Sequence, residues 1–209
     1  MPATFQSAGA NASSATITIP SHQADDIIII VTYASSDTKP SASGTVPTWN
    51  KYSWDAPLGV YWAKATASNH TSGSWNTASG CLAVTVWRGA DLTTPIATKA
   101  NNVNSSAQPQ APSITLADTS GNAGIQHTYF PLNLSGSTQT WSSAPGGYTS
   151  RASVNAGAYG LGVRTLTKDS TTSDGAVTNN MSAAPYNSSN VSLEIKPAVA
   201  DSHKFFAMF

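Results

Sequence analysis

The sequence predicts an all-β fold, a jelly-roll-like antiparallel β-sandwich, and three observations support this prediction. Helical periodicity is nearly absent from the 209 residues, while short runs of alternating apolar and polar residues recur along the chain. Gly, Pro, Asn and Ser interrupt these runs about every eight to twelve residues, a spacing typical of sandwiches and barrels. The two parts of the chain also carry similar strand patterns, so we expect two pseudo-repeated halves.

The alternating runs define the predicted strands. In the first half they lie at Ala15–Pro20, Ile27–Ser35, Thr48–Trp54, Leu58–Ala67 and Cys81–Arg88. In the second half they lie at Ile96–Val103, Pro112–Leu116, Ile125–Phe130, Gly147–Val154, Leu161–Thr167, Ala176–Ser182 and Val191–Lys196. Because neither half can cover its own hydrophobic face, we expect a single sandwich domain.

One run, Asp26–Tyr33 (DIIIIVTY), is dense in β-branched residues. It is too short to span a membrane, and its composition favours a strand buried on both faces, central in a packed sheet. We interpret Asp25 and Asp26 as a turn and as charges that protect an aggregation-prone segment. A paired-carboxylate active site is disfavoured, because adjacent residues on a strand point to opposite faces.

The two halves can be overlaid with an offset of roughly one hundred residues. The overlay matches Ile27–Tyr33 with Ile125–Phe130, Pro47–Trp49 with Pro145–Tyr148, Val60–Thr66 with Leu161–Thr167, and Leu82–Arg88 with Val191–Pro197. Each half would supply core strands to two packed sheets, which predicts a jelly roll. Convergent strand alternation is the alternative explanation of the overlay.

The segment Gly80–Ile96 (GCLAVTVWRGADLTTPI) is a strand pattern that runs into a turn, and Val191–Ala198 (VSLEIKPA) repeats it in a weaker form. In the turn, Gly89 permits a positive φ, and Asp91 can accept backbone N–H groups in an Asx turn. Arg88 is close enough in the turn to pair with Asp91. We interpret these three residues as a structural corner, with a receptor-binding loop as the alternative.

Charge is scarce and balanced. The chain has 10 Lys or Arg and 10 Asp or Glu, and charged residues make up 10% of it, against about 25% in typical domains. A near-neutral surface rich in hydroxyls and amides associates readily with other proteins. Without a basic excess to neutralise phosphates, we expect no nucleic-acid partner. No apolar run approaches the roughly 20 residues of a membrane span, and the N-terminal residues lack the features of a secretory signal.

No reaction chemistry is recognised in the sequence, so we expect no enzyme activity, no catalytic residues, no metal and no cofactor. No G-x-S-x-G motif is present, and the four histidines lie in different contexts: His22, His70, His127 and His203. The one glutamate, Glu194, alternates with the apolar residues on its strand and is expected to face outward.

Two further residue groups have a simple structural interpretation. Asp169 and Asp174 flank a loop, KDSTTSDG, whose oxygens would suit calcium, but a solvated hairpin is the favoured interpretation. Cys81 is the single cysteine, and we expect it to be a small buried hydrophobic residue.

Aromatic residues are the main candidates for binding a ligand. Trp49, Tyr52 and Trp54 are close in sequence, and Trp75 lies in a polar loop. Exposed rings on a sandwich would form a stacking platform, so Trp49, Trp54 and Trp75 are named as glycan or interface residues. Since Trp is usually largely buried, packing in the core or at an interface is favoured.

Both ends of the chain are expected to extend from the sandwich. We place an N-terminal arm at 1–14, the sandwich domain at 15–198 and an apolar C-terminal arm at 199–209. The C-terminal arm carries the candidate partner-binding residues Phe205, Phe206, Met208 and Phe209. Such side chains would be an association liability if exposed, so a neighbouring subunit is the expected partner.

Several segments, in order, resemble a family of jelly-roll-type modules common in bacteriophages: ATITIPSHQADDIIIIVTY, PTW, LGVYWAKAT, AVTVWRGADLTTPI, PGGYTSRA and VSLEIKPA. The resemblance covers roughly Ala15–Ala198, and its most specific part is the R-G-A-D-x-x-x-P-I turn. It implies a virion component, either a capsid decoration (cement) protein or a minor tail or fibre protein. It implies no catalytic residues.

These observations predict a structural protein of a bacteriophage virion, in first place a capsid decoration protein that stabilises the head through inter-subunit contacts. We expect synthesis in the host cytoplasm without a signal peptide, and a location on the virion surface. The expected partners are other virion proteins, the major capsid protein or tail proteins, and further copies in a homo-oligomer or symmetric array. The alternative is a tail or fibre protein, or carbohydrate-binding module, that recognises a host surface glycan.

Overall fold

Two five-stranded antiparallel sheets form most of the computed structural model, which describes residues 1–75, 80–105 and 107–199. Sheet 1 contains β1 (Thr4–Asn11), β2 (Ile27–Tyr33), β3 (Asn50–Asp55), β4 (Leu58–Lys64) and β5 (Cys81–Arg88). The strands of the second half are β6 (Ile96–Ser105), β7 (Gln110–Ala111), β8 (Ala123–Leu132), β9 (Thr149–Val154), β10 (Val163–Thr171), β11 (Val177–Thr178) and β12 (Asn187–Ile195). The short strands β7 and β11 pair with each other, and the other five form sheet 2.

Each half of the chain builds one sheet, and the two sheets share one strand order. Sheet 1 has the order β1-β5-β2-β4-β3, and sheet 2 has the order β6-β12-β8-β10-β9. The strands matched by the sequence overlay therefore occupy equivalent positions in the two sheets. The predicted all-β sandwich is confirmed. The jelly-roll arrangement is not confirmed, since every strand of a sheet comes from the same half of the chain.

The N-terminal residues differ from the prediction. Residues 4–11, placed in an arm by the sequence analysis, form β1 at the edge of sheet 1 and pair with β5. Residues 15–20 form no strand. The alternation in this segment has another cause: Ile17 and Ile19 are buried against the outer face of sheet 1, and the threonines between and before them are exposed. Only short pairings are found at two other predicted strands, 112–116 and 176–182.

The two sheets pack face to face on one continuous apolar core. Sheet 1 contributes side chains such as Ile29 and Trp87, and sheet 2 contributes Phe130, Val163 and Leu193, all of them fully buried. Burial of apolar surface contributes roughly 25 cal/mol per Å² to folding. Because this core contains side chains from both halves of the chain, the two halves pack as one structural unit.

A close contact near one end of the core depends on a glycine. The Trp87 ring lies over Gly124 of β8, where a Cβ would come within 2.4 Å of the ring. The indole Nε1 donates to the hydroxyl of Thr85 at 3.1 Å, and that hydroxyl donates to Oε1 of Gln126 at 2.6 Å. These hydrogen bonds join the two sheets and satisfy polar groups that would otherwise be buried without partners.

Loops cover the outer face of each sheet, so both sheets are buried on two sides. On sheet 1, Ile28 and Ile30 pack against Trp49 and Trp75. On sheet 2, Tyr148 and its neighbours pack against strand residues in the same way. Strand β2 lies in the middle of sheet 1, and its five apolar residues are 0% exposed. This confirms the prediction of a central strand buried on both faces.

An ion pair joins the start of β2 to the end of β5. Arg88 donates from Nε and Nη2 to the two carboxylate oxygens of Asp26, at 2.8 and 2.9 Å. The Gln23 N–H donates to the same carboxylate at 2.9 Å, and the Asp26 side chain is 1% exposed. The predicted pair of Arg88 with Asp91 is wrong. The strand register places Trp87 opposite Ile27, which brings Arg88 to Asp26 instead.

We expect Arg88→Ala to destabilise the protein more than Asp26→Ala. Loss of the guanidinium leaves a buried carboxylate with one backbone donor, a defect that costs about 3–5 kcal/mol. Loss of the carboxylate leaves an arginine that is 44% exposed and can be hydrated, so a cost of about 1–3 kcal/mol is expected. Urea unfolding measures both values, and equal costs would contradict this account. The double variant should be more stable than Arg88→Ala alone.

Candidate functional site

The two ends of the described chain meet at one corner of the sandwich. The Met1 ammonium donates to the Ala198 carbonyl oxygen at 3.2 Å, and the Ala198 N–H donates to the Gly89 carbonyl oxygen at 2.8 Å. Ala90 and Pro197 form an isolated bridge. The W-R-G-A-D turn and the K-P-A segment, similar in sequence, are thus hydrogen-bonded to each other. We call residues 1–3, 89–91 and 196–198 the terminal corner.

Glycine is required in the turn of the terminal corner, as predicted. Gly89 has a φ of 72°, in the left-handed region that favours glycine. A Cβ at this position would also lie 2.5 Å from the Pro2 carbonyl oxygen. The N-terminal residues therefore pass so close to the turn that no larger residue fits without movement of the backbone.

Asp91 forms the predicted Asx turn and also reaches the last strand segment. Its Oδ1 accepts the N–H groups of Thr93 and Thr94, each at 2.9 Å, and its Oδ2 lies 2.9 Å from Nζ of Lys196. Burial alone would raise the pKa of Asp91, but the hydrogen bonds from Thr94 and Lys196 outweigh it and hold the pKa well below its usual range. The carboxylate is therefore ionised at neutral pH.

We expect Asp91→Ala to lower the free energy of unfolding by about 1–2 kcal/mol at pH 7, as loss of a capping carboxylate does. Since the pKa of Asp91 is lower in the folded than in the unfolded state, its contribution is present above pH about 4. Below that pH the contribution declines by up to about 1.4 kcal/mol per pH unit. Urea unfolding should show the two proteins closer in stability at pH 3 than at pH 7.

Asp55→Ala is the matched control for this measurement. Asp55 is 47% exposed and pairs with Lys99, which is 13% exposed and also donates to Oδ1 of Asn101. Because Lys99 keeps this second acceptor, the loss of Asp55 should cost less than about 1 kcal/mol. A penalty for Asp91→Ala that is the same at both pH values would contradict the role assigned to its carboxylate.

A groove of about 480 Å³ opens beside the terminal corner. We call it the corner groove; its lining includes Ile96, Ala97, Ala117, Asp118, Lys196 and Val199. Hydrogen bonds from the hydroxyl and N–H of Ser120 lower the pKa of Asp118, so its carboxylate is ionised at neutral pH. The groove thus combines an apolar lining with one anionic and one cationic side chain.

Glu194 fixes one wall of the corner groove. It faces away from the inter-sheet core, as its alternation predicts, but it is fully buried under a loop rather than exposed. Its carboxylate accepts hydrogen bonds from the Thr98 hydroxyl and from the N–H groups of Ala117 and Asp118, each at 2.8 Å. The predicted outward direction of Glu194 is confirmed, and the loop that buries it is a feature that a strand pattern does not reveal.

The candidate partner-binding residues of the C-terminal arm lie outside the described residues: Phe205, Phe206, Met208 and Phe209. The structure does show where this arm begins. Val199 lies at the rim of the corner groove and is 83% exposed. The arm therefore starts beside the groove, at the end of the molecule where the two chain ends meet.

Two of the three predicted glycan-stacking residues are buried. Trp49 and Trp75 are 1% and 2% exposed and lie edge to face, with ring centroids 5.3 Å apart. Trp49 Nε1 donates to the Ser72 carbonyl oxygen at 3.1 Å. Their burial corrects the sugar-platform interpretation, because these rings cover the outer face of sheet 1. Trp54, in β3, is half-buried.

A second groove, of about 460 Å³, contains a tryptophan that the sequence analysis did not select. We call it the Trp62 groove. The half-buried Trp62 of β4 lies opposite Asn50 of β3, and both line the groove together with Thr66 and His70. Burial and the neighbouring His22 lower the pKa of His70, so its ring is uncharged at neutral pH. The groove offers one aromatic ring, a few neutral polar groups and Lys64, whose ammonium pairs with Asp25 at 2.8 Å. An aromatic ring beside polar groups suits a polar organic ligand.

A buried polar cluster lies on the outer face of sheet 2. Nδ1 of His127 is 2.9 Å from the hydroxyl oxygen of Ser192, and its Nε2 is 3.4 Å from an oxygen of Asp174. Tyr148 donates its hydroxyl to the other oxygen of Asp174. The Asp174 side chain is 0% exposed, so the predicted solvated hairpin is wrong at this residue. Loops that cover sheet 2 enclose the carboxylate.

The order Ser192–His127–Asp174 is that of nucleophile, base and acid in serine hydrolases. In this structure Ser192 and His127 are 0% exposed, and the Ser192 hydroxyl donates to the Pro112 carbonyl oxygen at 2.6 Å. Nδ1 of His127 must therefore donate to Ser192 rather than take its proton. The cluster fastens the covering loops to the sheet, and we assign it this structural role.

The remaining candidates are structural as well. Cys81 is buried, as predicted, and burial raises the pKa of its thiol to about 12. The exposed Asp169 accepts the Phe5 N–H at 3.2 Å and pairs with Arg151. Within the described part of the chain, no group of three or more His, Cys, Asp or Glu side chains is arranged to hold a metal ion.

Comparisons with known proteins do not place the chain in a family: no family model, no curated protein and no solved structure matches it. Among residues 1–75, 80–105 and 107–199, no helix has the length and hydropathy needed to cross a membrane. The terminal corner, with its groove, and the Trp62 groove are the surface features on which a function can be argued.

Proposed function

We propose that this protein is a structural component of a bacteriophage virion, a capsid decoration protein that stabilises the head through inter-subunit contacts. The sequence segments that resemble phage-associated modules support this proposal. One structural observation carries it further: Val199, the residue that precedes the rest of the apolar arm in the sequence, is exposed beside a groove. The partners would be the major capsid protein and further copies of the chain.

The proposed mechanism is mechanical. The sandwich sits over junctions between capsid subunits, and the arm binds a neighbour by burying its phenylalanine side chains, at roughly 25 cal/mol per Å² of apolar surface. Many modest contacts, repeated by symmetry, act together as avidity. Only 10% of the residues in the chain are charged. This composition suits the proposed role, because charged residues are depleted at the centres of protein interfaces.

Deletion of Val199–Phe209 should lower the occupancy of this protein on purified particles by at least about tenfold, because the arm supplies the apolar contacts. The sandwich should stay folded, since the strands and both loop-covered faces lie before residue 199. Quantitative gels of the particles measure occupancy, and circular dichroism with a thermal melt checks the fold. The double variant Ser202→Ala, His203→Ala serves as a control with an intact apolar arm. Unchanged occupancy of the deletion variant would contradict the proposal.

Copy number tests the location on the particle. Mass spectrometry of purified virions should give hundreds of copies if the protein decorates the capsid. A few to tens of copies would place it in the tail instead, and absence from virions would overturn the structural role.

The Trp62 groove favours a second function, binding of a neutral host-surface glycan by a tail or fibre protein. The half-buried indole of Trp62 can stack on the apolar face of a sugar ring, while Asn50 and Thr66 supply hydrogen-bonding groups. Its volume of about 460 Å³ falls within the range of about 300–1,000 Å³ that is typical of ligand sites.

Trp62→Ala should weaken binding of any glycan found on an array by at least about tenfold, measured by calorimetry on the purified protein. Trp54→Ala is the matched control, because Trp54 is also half-buried and lies on the adjacent strand β3, outside the groove lining. An equal loss in both variants, or no glycan bound by the unmodified protein, would overturn this second function.

A further inference from the structure

We propose that the corner groove is the receptor for the C-terminal arm of a second copy of this chain, so that copies associate by exchanging arms. The inference rests on the proposed structural function for its setting and adds to it the identity of the arm's partner.

The chain leaves the sandwich at the groove itself. Val199 lines the groove and is 83% exposed, so at this residue the chain is not packed against its own sandwich. Residues 200–209 follow in the sequence, and a fully extended segment of this length spans up to about 36 Å. That reach is sufficient for the arm to enter the groove of an adjacent copy.

The sequence of the arm matches the chemistry of the groove. Lys204 directly precedes Phe205 and Phe206, which gives one cation next to two large apolar rings. The groove offers the apolar side chains of its lining beside the ionised carboxylate of Asp118. The oxygens of Asp118 accept hydrogen bonds from the N–H groups of Ser120 and Asn122, but within residues 1–75, 80–105 and 107–199 no cation pairs with this carboxylate. Its negative charge would therefore attract the lysine.

The groove is preformed on the side where the rings would enter. The backbone N–H groups of Ala117 and Asp118 are both held by the buried carboxylate of Glu194. On the opposite side, Lys196 is fixed by its ion pair with Asp91. A site whose walls are held in place loses little conformational freedom on binding, which favours association.

The position of Val199 favours the arm of a second copy over the chain's own arm. Because Val199 is itself part of the groove lining, the same chain would have to reverse direction within a few residues to bring Phe205 back. An arm from a second copy needs no reversal, and a two-fold pair would place each arm in the other groove. The formal net charge is zero, so little electrostatic repulsion opposes the pairing of copies.

Sedimentation velocity on the full-length protein tests the exchange. The unmodified chain should self-associate, and Ala117→Arg, which fills the groove with a charged side chain, should raise the dissociation constant at least about tenfold. The double variant Phe205→Ser, Phe206→Ser should have an effect of the same size. Thr115→Arg is the matched control: it adds the same charge at an exposed position of the same loop, outside the groove lining. A monomeric unmodified protein, or equal effects of Ala117→Arg and Thr115→Arg, would overturn the inference.

Disulfide trapping tells which chain supplies the arm. Two full-length variants, Ala117→Cys and Ala207→Cys, are mixed and oxidised, while the native Cys81 stays buried and unreactive. A reducible mixed dimer that exceeds the dimers of either variant alone supports exchange between copies. A crosslink that forms only when both substitutions are in the same chain would overturn it.

The outcomes separate this inference from the proposed function. Arm exchange in solution by a protein that is absent from virions would leave the inference standing and overturn the virion role. Incorporation into virions by a protein that shows no arm exchange would overturn only the inference.

Discussion

The fold depends on covering two faces of each sheet. The inner faces cover each other, but the outer faces are also apolar, and only loops remain to bury them. On sheet 1 the loops supply Trp49 and Trp75, and on sheet 2 they supply Tyr148 and its neighbours. Trp49 and Trp75 are therefore buried in the fold rather than available for a ligand. What remains for contact with other molecules is the edges and corners of the sandwich, where the terminal corner and the Trp62 groove lie.

The two sheets share a strand order but bury their outer faces by different chemistry. Sheet 1 uses isoleucines and aromatic rings, whereas sheet 2 also buries polar residues such as His127, Glu194 and Arg164. A buried polar group costs free energy unless it is hydrogen-bonded, so each of these residues needs a defined partner. Those partners are largely on the covering loops, and the requirement fixes the loops in place. Glu194 shows the consequence, since it holds the wall of the corner groove.

Local patterns were sufficient to predict the central strands, the burial of β2 and the turn at Gly89 and Asp91, because these depend on neighbouring residues. The overlay of the halves matched strands but not faces: Ile27 points into the inter-sheet core, whereas its match Ile125 points outward. A shift of one residue in the alignment of two strands exchanges the faces to which all their side chains point. Because both faces of these strands are apolar, the sequence pattern does not distinguish the correct alignment from the shifted one. The pair of Asp26 and Arg88 joins residues 62 positions apart, which no local pattern can reveal. For the same reason, the sequence could not show which tryptophans are buried and which are exposed.

The terminal corner fixes the point at which the proposed C-terminal arm begins. Hydrogen bonds from Met1 to Ala198 and from Ala198 to Gly89 hold both chain ends against the turn of β5, so the start of the arm is fixed relative to the sandwich. An arm with a fixed start has a limited reach, and a partner must place its groove within that reach. Since start and groove lie side by side on each copy, a contact that satisfies one copy satisfies the other in a two-fold pair. Under the proposed arm exchange, the adjacency of the arm and the groove would let both contacts form within one two-fold pair of copies.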